Sequence, residues 1–265
     1  MAKHSRVWNQ GVYERYLREG RGRGDGPGYT PWIRVQDFAS NGVVSRVKGR
    51  TTGRVHHLMS NNELAYFYIL DWSDHVLDIR EQYPLLDLDC ATRAAMQADI
   101  KYPTDGASGF PYVMTCDFLI TTAQGYKART VKLSSDLDNP RTIEKLEIER
   151  RYWKAKNIEW KLVTEKEIAF QKAKNIEFLY AVRGVDDSDV WRTIPAAAMD
   201  WLKQLYEETY LPIAEIAQMV EQEFLLRCGL GLMLFKHLAL NKIIAINMNE
   251  RLNLNQSRRA VLIAA

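Results

Sequence analysis

The chain has 265 residues, 46% hydrophobic and 26% charged, which suits one large or two smaller globular domains and excludes disordered, collagen-like or coiled-coil architectures. Its formal net charge of +3, from 36 basic and 33 acidic side chains, hides an uneven distribution. Residues 1–60 carry 11 basic and 4 acidic side chains, residues 61–189 carry 17 and 22, and residues 190–265 carry 8 and 7, the layout of a phosphate-binding arm beside a cation site.

In chain order, residues 1–59 form the basic arm. Residues 20–28 alternate glycine with Arg21, Arg23, Asp25 and Pro27, and hold five of the fifteen glycines. Alternating glycine predicts an open, mobile loop, serving either to bring two arginines to DNA phosphates or simply as a connector. Ser60 and Glu63 make an S-x-x-E capping box, with Leu64, Phe67 and Tyr68 on one helical face behind it. Residues 76–81 alternate as a strand, 87–110 read as irregular, and 112–120 and 126–133 read as two further strands. Asn139-Pro140 opens a helix running to about Lys156, and Trp160–Val163 is a short strand. The order predicts an α/β core over residues 60–182, a sheet with helices on its faces. A linker is expected at 183–190, around Asp186-Asp187-Ser188-Asp189. Helices near 196–210, 212–224 and 232–240, a Gly229-Leu230-Gly231 turn and a strand at 243–246 then predict a winged-helix-like domain over 191–265. Its third helix has only Lys236 and His237 as basic residues, so protein contact suits it as well as DNA readout.

Cys90, Cys116 and Cys228 lie far apart and form no C-x-x-C pair, so neither a disulfide framework nor a structural zinc site is expected. Met1–Arg6 lead into no apolar run, and Phe224–Met248 is broken by Arg227, Lys236, His237 and Lys242. No secretory leader and no membrane span are expected, and the natural compartment is the cytoplasm.

Chemistry concentrates on three residues. Asp117 lies in an apolar strand, Lys132 in the next strand, and Glu63 in the first turn of a helix. An ionised carboxylate among apolar neighbours needs a cation or hydrogen bonds. Mg²⁺ or Mn²⁺ bound by Asp117 and Glu63, with Lys132 adjacent, satisfies that need and suits phosphodiester hydrolysis, with a second ion stabilising the leaving oxygen. The plainer alternatives are a cap role for Glu63 and an inter-strand ion pair for Asp117 and Lys132.

The stretches Arg18-Glu19-Gly20-Arg21-Gly22, Tyr29-Thr30-Pro31-Trp32, Thr52-Gly53-Arg54-Val55-His56-His57-Leu58, Leu77–Leu85 and Glu147–Trp153 together make the chain resemble the TnsA family, the endonuclease subunit of heteromeric transposases of cut-and-paste and CRISPR-associated transposons. The resemblance is specific over residues 15–180 and looser beyond. It implies a restriction-endonuclease-like domain with a winged-helix-like C-terminal domain. It also implies cutting of the non-transferred strand at the 5′ transposon ends, while TnsB cuts and joins the 3′ ends and the ATPase regulator TnsC engages the C-terminal domain. On the family pattern Glu63 and Asp117 are metal ligands and Lys132 is the catalytic lysine; either a water or the Val131 carbonyl completes the shell, or metal binding is weakened. Nucleases of this class usually carry Glu, Asp or Gln two residues before the lysine; here Thr130 stands there, on the same strand face as Lys132. Glu149 is either a support behind the ligands, with Thr130, or an exposed helix charge paired with Lys145. Arg21, Arg23, Arg50, Arg54, His57, Arg150 and Arg151 are the expected DNA contacts, and Trp32, Trp72 and Trp153 are expected in the core. The competing function is a non-catalytic adaptor linking the transposase to its ATPase, with Thr130 marking a decayed site.

Overall fold

The computed structural model describes residues 7–37, 43–182, 189–192 and 194–256. Packing divides the chain into Met1–Ile168 and Ala169–Ala265, so residues 169–182 fall in the second unit, whereas the sequence reading places them in the core. Residues 183–188 of the expected linker lie outside the described residues.

The first unit runs α1 (Gln10–Arg18), β1 (Ser45–Lys48), β2 (Val55–Leu58), α2 (Asn61–Trp72), β3 (Val76–Pro84), α3 (Leu88–Gln97), β4 (Thr115–Thr122), β5 (Gly125–Val131), α4 (Pro140–Ala155) and β6 (Glu159–Val163). Strands β3, β4, β5 and β6 form one sheet in that order; β3–β4–β5 are antiparallel and β6 is parallel to β5. This is a mixed sheet flanked by helices, as the sequence predicts. Its core joins Leu85, Ala91, Cys116, Leu119, Ala128, Tyr152 and Trp153. Ser60 caps α2, its hydroxyl accepting from the Glu63 amide at 3.1 Å, and Asn139 caps α4 ahead of Pro140.

Residues 88–97 are helical, not irregular. Asp87 accepts from the Cys90 amide at 3.0 Å as the cap, and the buried stripe is Ala91, Ala94 and Ala95. Alanine offers little hydrophobic contrast against the exposed Asp89, Arg93 and Gln97, so the period was faint in the sequence.

The glycine–arginine loop is docked rather than open. Gly22 donates to the Thr30 carbonyl at 2.7 Å, and Thr30 donates back to that of Arg23 at 3.1 Å. Gly22 has φ of +73°, and a Cβ there would lie 2.3 Å from Pro84 Cγ, so only glycine lets the loop lie against β3. Arg21 is buried over the Tyr16 ring at 3.6 Å, bonded to Asp37 at 2.5 Å, Glu19 at 2.7 Å and the Trp32 carbonyl at 3.0 Å.

β1 and β2 form an antiparallel two-stranded sheet. Its inner face is held to β3 by Glu81, which is 0% exposed. That carboxylate accepts from Arg54 at 2.8 and 2.5 Å, from the His57 amide at 3.0 Å, and meets His56 Nδ1 at 2.8 Å. Burial works against its charge, but Arg54 and His56 prevail and hold its pKa down to about 2. Arg54 also donates to the Ile79 carbonyl at 2.8 Å. Arg21 and Arg54 are thus internal ties and not DNA contacts: each side chain is largely shielded from water and bonded to carboxylate and carbonyl oxygens, Arg54 through its two terminal nitrogens.

The second unit holds α5 (Phe170–Tyr180), α6 (Asp189–Arg192), α7 (Ala196–Glu208), α8 (Ile213–Glu223) and α9 (Leu230–Leu240), with Leu202, Ile216, Val220, Leu234 and Phe235 buried between them. A Cβ on Gly231 would lie 2.1 Å from the Ala217 carbonyl, so glycine permits the close approach of α9 to α8. The expected strand at 243–246 is absent. Lys242 takes φ of +58°, and the Lys242 and Ile243 amides donate to Ala239 at 3.0 Å and Leu238 at 2.9 Å, closing α9 as a Schellman motif. Those amides are therefore not available to a wing, and the described part of this unit is helical. Among the described residues no helix is long and apolar enough to cross a membrane.

Replacing Glu81 by Gln should cost about 3–5 kcal/mol at neutral pH, because it leaves Arg54 buried without its counter-charge. The folded pKa is depressed, so this stability is present above the unfolded value and lost as pH falls toward about 2. Thermal melts of wild type and Glu81→Gln should converge over that range; a gap independent of pH would refute the ion-pair origin. Gly22→Ala should lower the melting temperature by several degrees, and a neutral result would show that the loop does not need its approach to Pro84.

Candidate active site

Glu63, Asp117 and Lys132 come from three elements that the fold brings together. The β4–β5 ladder pairs Phe118 with Arg129 and carries no further pair toward Asp117. There the Asp117 carboxylate itself accepts from the Val131 amide at 2.7 Å, while the Lys132 amide donates to Val163 of β6 at 3.0 Å. Lys132 Nζ lies 3.3 Å from Asp117 Oδ2 and 3.0 Å from the Val131 carbonyl. The Asp117 charge raises the lysine pKa; burial opposes it, and Glu63 and Glu149 add to the rise.

Glu63 is buried and does more than cap a helix. Its carboxylate accepts from the Met59 amide at 3.0 Å, the Ser60 hydroxyl at 3.1 Å and the Gln82 side chain at 3.2 Å. Burial, then the neighbouring Asp117 charge, pushes its pKa up to about 7. A buried carboxylate held beside a second one forms a site poised for a cation.

Gln82 is a site residue that the sequence reading missed. It is buried in β3 with φ of +48°, and its side chain reaches both Glu63 and Thr115 Oγ1, the latter at 3.4 Å. A left-handed glutamine within a strand costs about 1–3 kcal/mol, and here that strain aims an amide at a candidate ligand. Strand alternation carries no sign of such a reversal.

Thr130 and Glu149 meet directly. The Thr130 hydroxyl donates to Glu149 at 2.5 Å and accepts from Trp160 Nε1 at 3.1 Å, and Trp160 also donates to Glu149 at 3.0 Å. Glu149 is buried, so the reading of it as an exposed partner of Lys145 does not hold. Burial raises its pKa to about 7; the Thr130 hydrogen bond opposes and the Asp117 charge assists. Asp117, Thr130, Lys132 and Glu149 line one cleft of about 480 Å³, and Glu63, Val131 and Lys132 line a second of about 390 Å³. Lys132 and Asp136 border both.

The expected DNA contacts are scattered. Arg23 and Arg50 are exposed, the guanidinium of Arg50 lying 3.9 Å from Asp74. Arg150 and Arg151 share Glu147, each at 2.6 Å, and Arg150 foremost holds that carboxylate down to about 2. His56 is buried, and His57 is half-buried with Nδ1 accepting from the Val35 amide at 3.3 Å. Trp32, Trp72 and Trp153 are core residues.

Among the described residues no three His, Cys, Asp or Glu side chains converge as a metal cluster. The oxygens that suit a hard cation are two carboxylates and a main-chain carbonyl, leaving positions for water and phosphate.

Residues 73–165 match the family described as TnsA-like endonuclease N terminal, and residues 167–248 match TnsA endonuclease C terminal. The chain is 37% identical over 259 residues to the Transposon Tn7 transposition protein TnsA of Escherichia coli, covering 97% of this chain and 93% of that protein. With matches spanning both units, the chain belongs to the TnsA endonuclease family.

Proposed function

We propose that this chain hydrolyses the non-transferred DNA strand at the 5′ ends of a transposon, as the metal-dependent nuclease of a heteromeric transposase. The observation that carries the reading is the convergence of Glu63, Asp117 and Lys132 where β4 and β5 part. Glu63, Asp117 and the Val131 carbonyl would hold Mg²⁺ or Mn²⁺, as one or two ions, which supplies charge against the phosphoryl oxygens and acidifies an attacking water. All three donors are oxygens and two are anionic, which fits these ions.

Lys132 stays protonated beside its carboxylates, so its part is to present positive charge to the phosphate and not to take a proton. Gln82 holds the Glu63 carboxylate in place. Glu149 and Thr130 brace the far side of the cleft, and their mutual bond leaves the threonine hydroxyl committed. DNA at the transposon ends is the substrate, TnsB the transposase partner and TnsC the ATPase partner, received by the helical second unit. The adaptor reading draws on one observation, that Thr130 supplies a committed hydroxyl where nucleases of this class use a stronger ligand.

Asp117→Ala and Glu63→Gln should each reduce 5′-strand release by at least about 10²-fold in the assembled transposase, scored on denaturing gels. Continued cutting by Asp117→Ala refutes the assignment. Glu149→Gln and Thr130→Ala should lower the rate by about 10–100-fold with folding retained, the range typical of groups that orient metal ligands. Calorimetry with Mg²⁺ on the DNA complex separates the two functions: heat of cation binding lost in Asp117→Ala supports the enzyme, and none in wild type with partner binding intact supports the adaptor.

A further inference from the structure

Burial of Arg21 and Arg54 moves the phosphate-contacting surface elsewhere on the N-terminal region. The β1–β2 hairpin has two unlike faces. Inward, His56 and Leu58 are buried, and His56 is tied to Glu81. Outward, Arg46 and Lys48 are exposed, and Arg46 lies directly opposite His57 across the pair. Arg34 is half-buried and belongs to the same surroundings, since the next residue, Val35, donates its amide to His57 Nδ1 at 3.3 Å.

Two features mark this face as more than a solvated one. Neither Arg34 nor Arg46 has a carboxylate partner among the described residues, which is true also of Arg18, Arg23, Arg93 and Arg227, but Arg34 and Arg46 differ from those in both lying close enough to the His57 ring to act on its charge. The Val35 amide also settles the His57 tautomer: Nδ1 accepts, so Nε2 carries the proton in the neutral ring and is a donor. Burial first, and then Arg34, Arg46 and Arg54, lower the His57 pKa, against the opposing pull of Glu81. The ring is a neutral N–H donor in a positive field.

We propose that the outward face of the β1–β2 hairpin seats backbone phosphates of the DNA duplex, with Arg34 and Arg46 as the cations and His57 Nε2–H as the hydrogen-bond donor. The inference rests on the nuclease reading for its choice of polyanion. It draws independently on the hairpin's position in the chain: β2 runs through Met59, whose amide binds Glu63, into α2. A duplex held here is thus held by the segment that presents a candidate metal ligand. Each cation that neutralises a phosphate releases counterion, which makes the contact measurable through salt.

The test is binding of the full chain to a labelled duplex across a salt series, without divalent cation so that no strand is cut. Arg34→Ala/Arg46→Ala should make the slope of log affinity against log salt shallower by about 1.8, two phosphates at about 0.9 each. Arg34→Lys/Arg46→Lys should keep the slope, and so should Arg93→Ala/Arg227→Ala, which removes equal charge from exposed positions elsewhere. An unchanged slope in the first pair, or equal flattening in the Arg93/Arg227 pair, overturns the proposal; the first outcome is also expected if the face receives an acidic protein instead. His57→Gln, which keeps an N–H donor, should bind within about twofold of wild type while His57→Ala loses several-fold; equal loss overturns the donor role. Strand cutting is read separately: an unchanged slope with Asp117-dependent cleavage sinks the phosphate seat alone, and cleavage by Asp117→Ala sinks the nuclease reading.

Discussion

The Glu81 carboxylate is removed from water entirely, and the N-terminal half of the catalytic unit is arranged to keep it charged. A buried anion without partners would cost more than a small domain can spare, so Arg54, His56 and the His57 amide have to be where they are. That requirement locks the β1–β2 hairpin onto β3. It also sets the neighbouring Gln82, whose reversed backbone turns its amide toward Glu63. One buried charge thereby links the basic arm to the candidate active site.

The same logic separates the cations of the arm into two classes. Arg21 and Arg54 are structural, each surrounded by acceptors in a low-dielectric setting where a guanidinium fork can satisfy several at once. Arg46 and Arg34 remain outside such cages. Net regional charge, which treats all these side chains alike, cannot make that division. A charge count reports potential partners, whereas burial decides which cations already have one.

At the site itself, carboxylates are held apart in role by environment. Asp117 is anchored by a main-chain amide and a lysine, while Glu63 and Glu149 are pushed up to about 7 chiefly by burial. Such a divided set, gathered at one cleft, is what a functional site needs, and it supports the proposed role of these residues. Thr130 explains itself in the same terms. Its hydroxyl is bonded to both Glu149 and Trp160, which fits a brace behind the cleft in the proposed site.

Sequence patterning alone was enough for the cap at Ser60, the β3, β4 and β5 strands, the Asn139-Pro140 helix start, and the conspicuous Asp117 in an apolar strand, because each is a local rule of period, capping or burial cost; Lys132, expected inside the next strand, lies just past the end of β5. The family stretches were equally legible, being side-chain order and nothing more. Helix α3 escaped because alanine gives a weak period, and the expected strand at 243–246 failed because the chain entering it, through the Lys242, Ile243 and Ile244 amides, closes α9. Only the tertiary structure decided that Arg21 and Arg54 are buried, that Glu149 turns inward to Thr130, and that Gln82 reverses its backbone to meet Glu63. Those outcomes depend on partners 16 to 27 residues away in the chain, and no local pattern encodes which acceptor a long side chain will find.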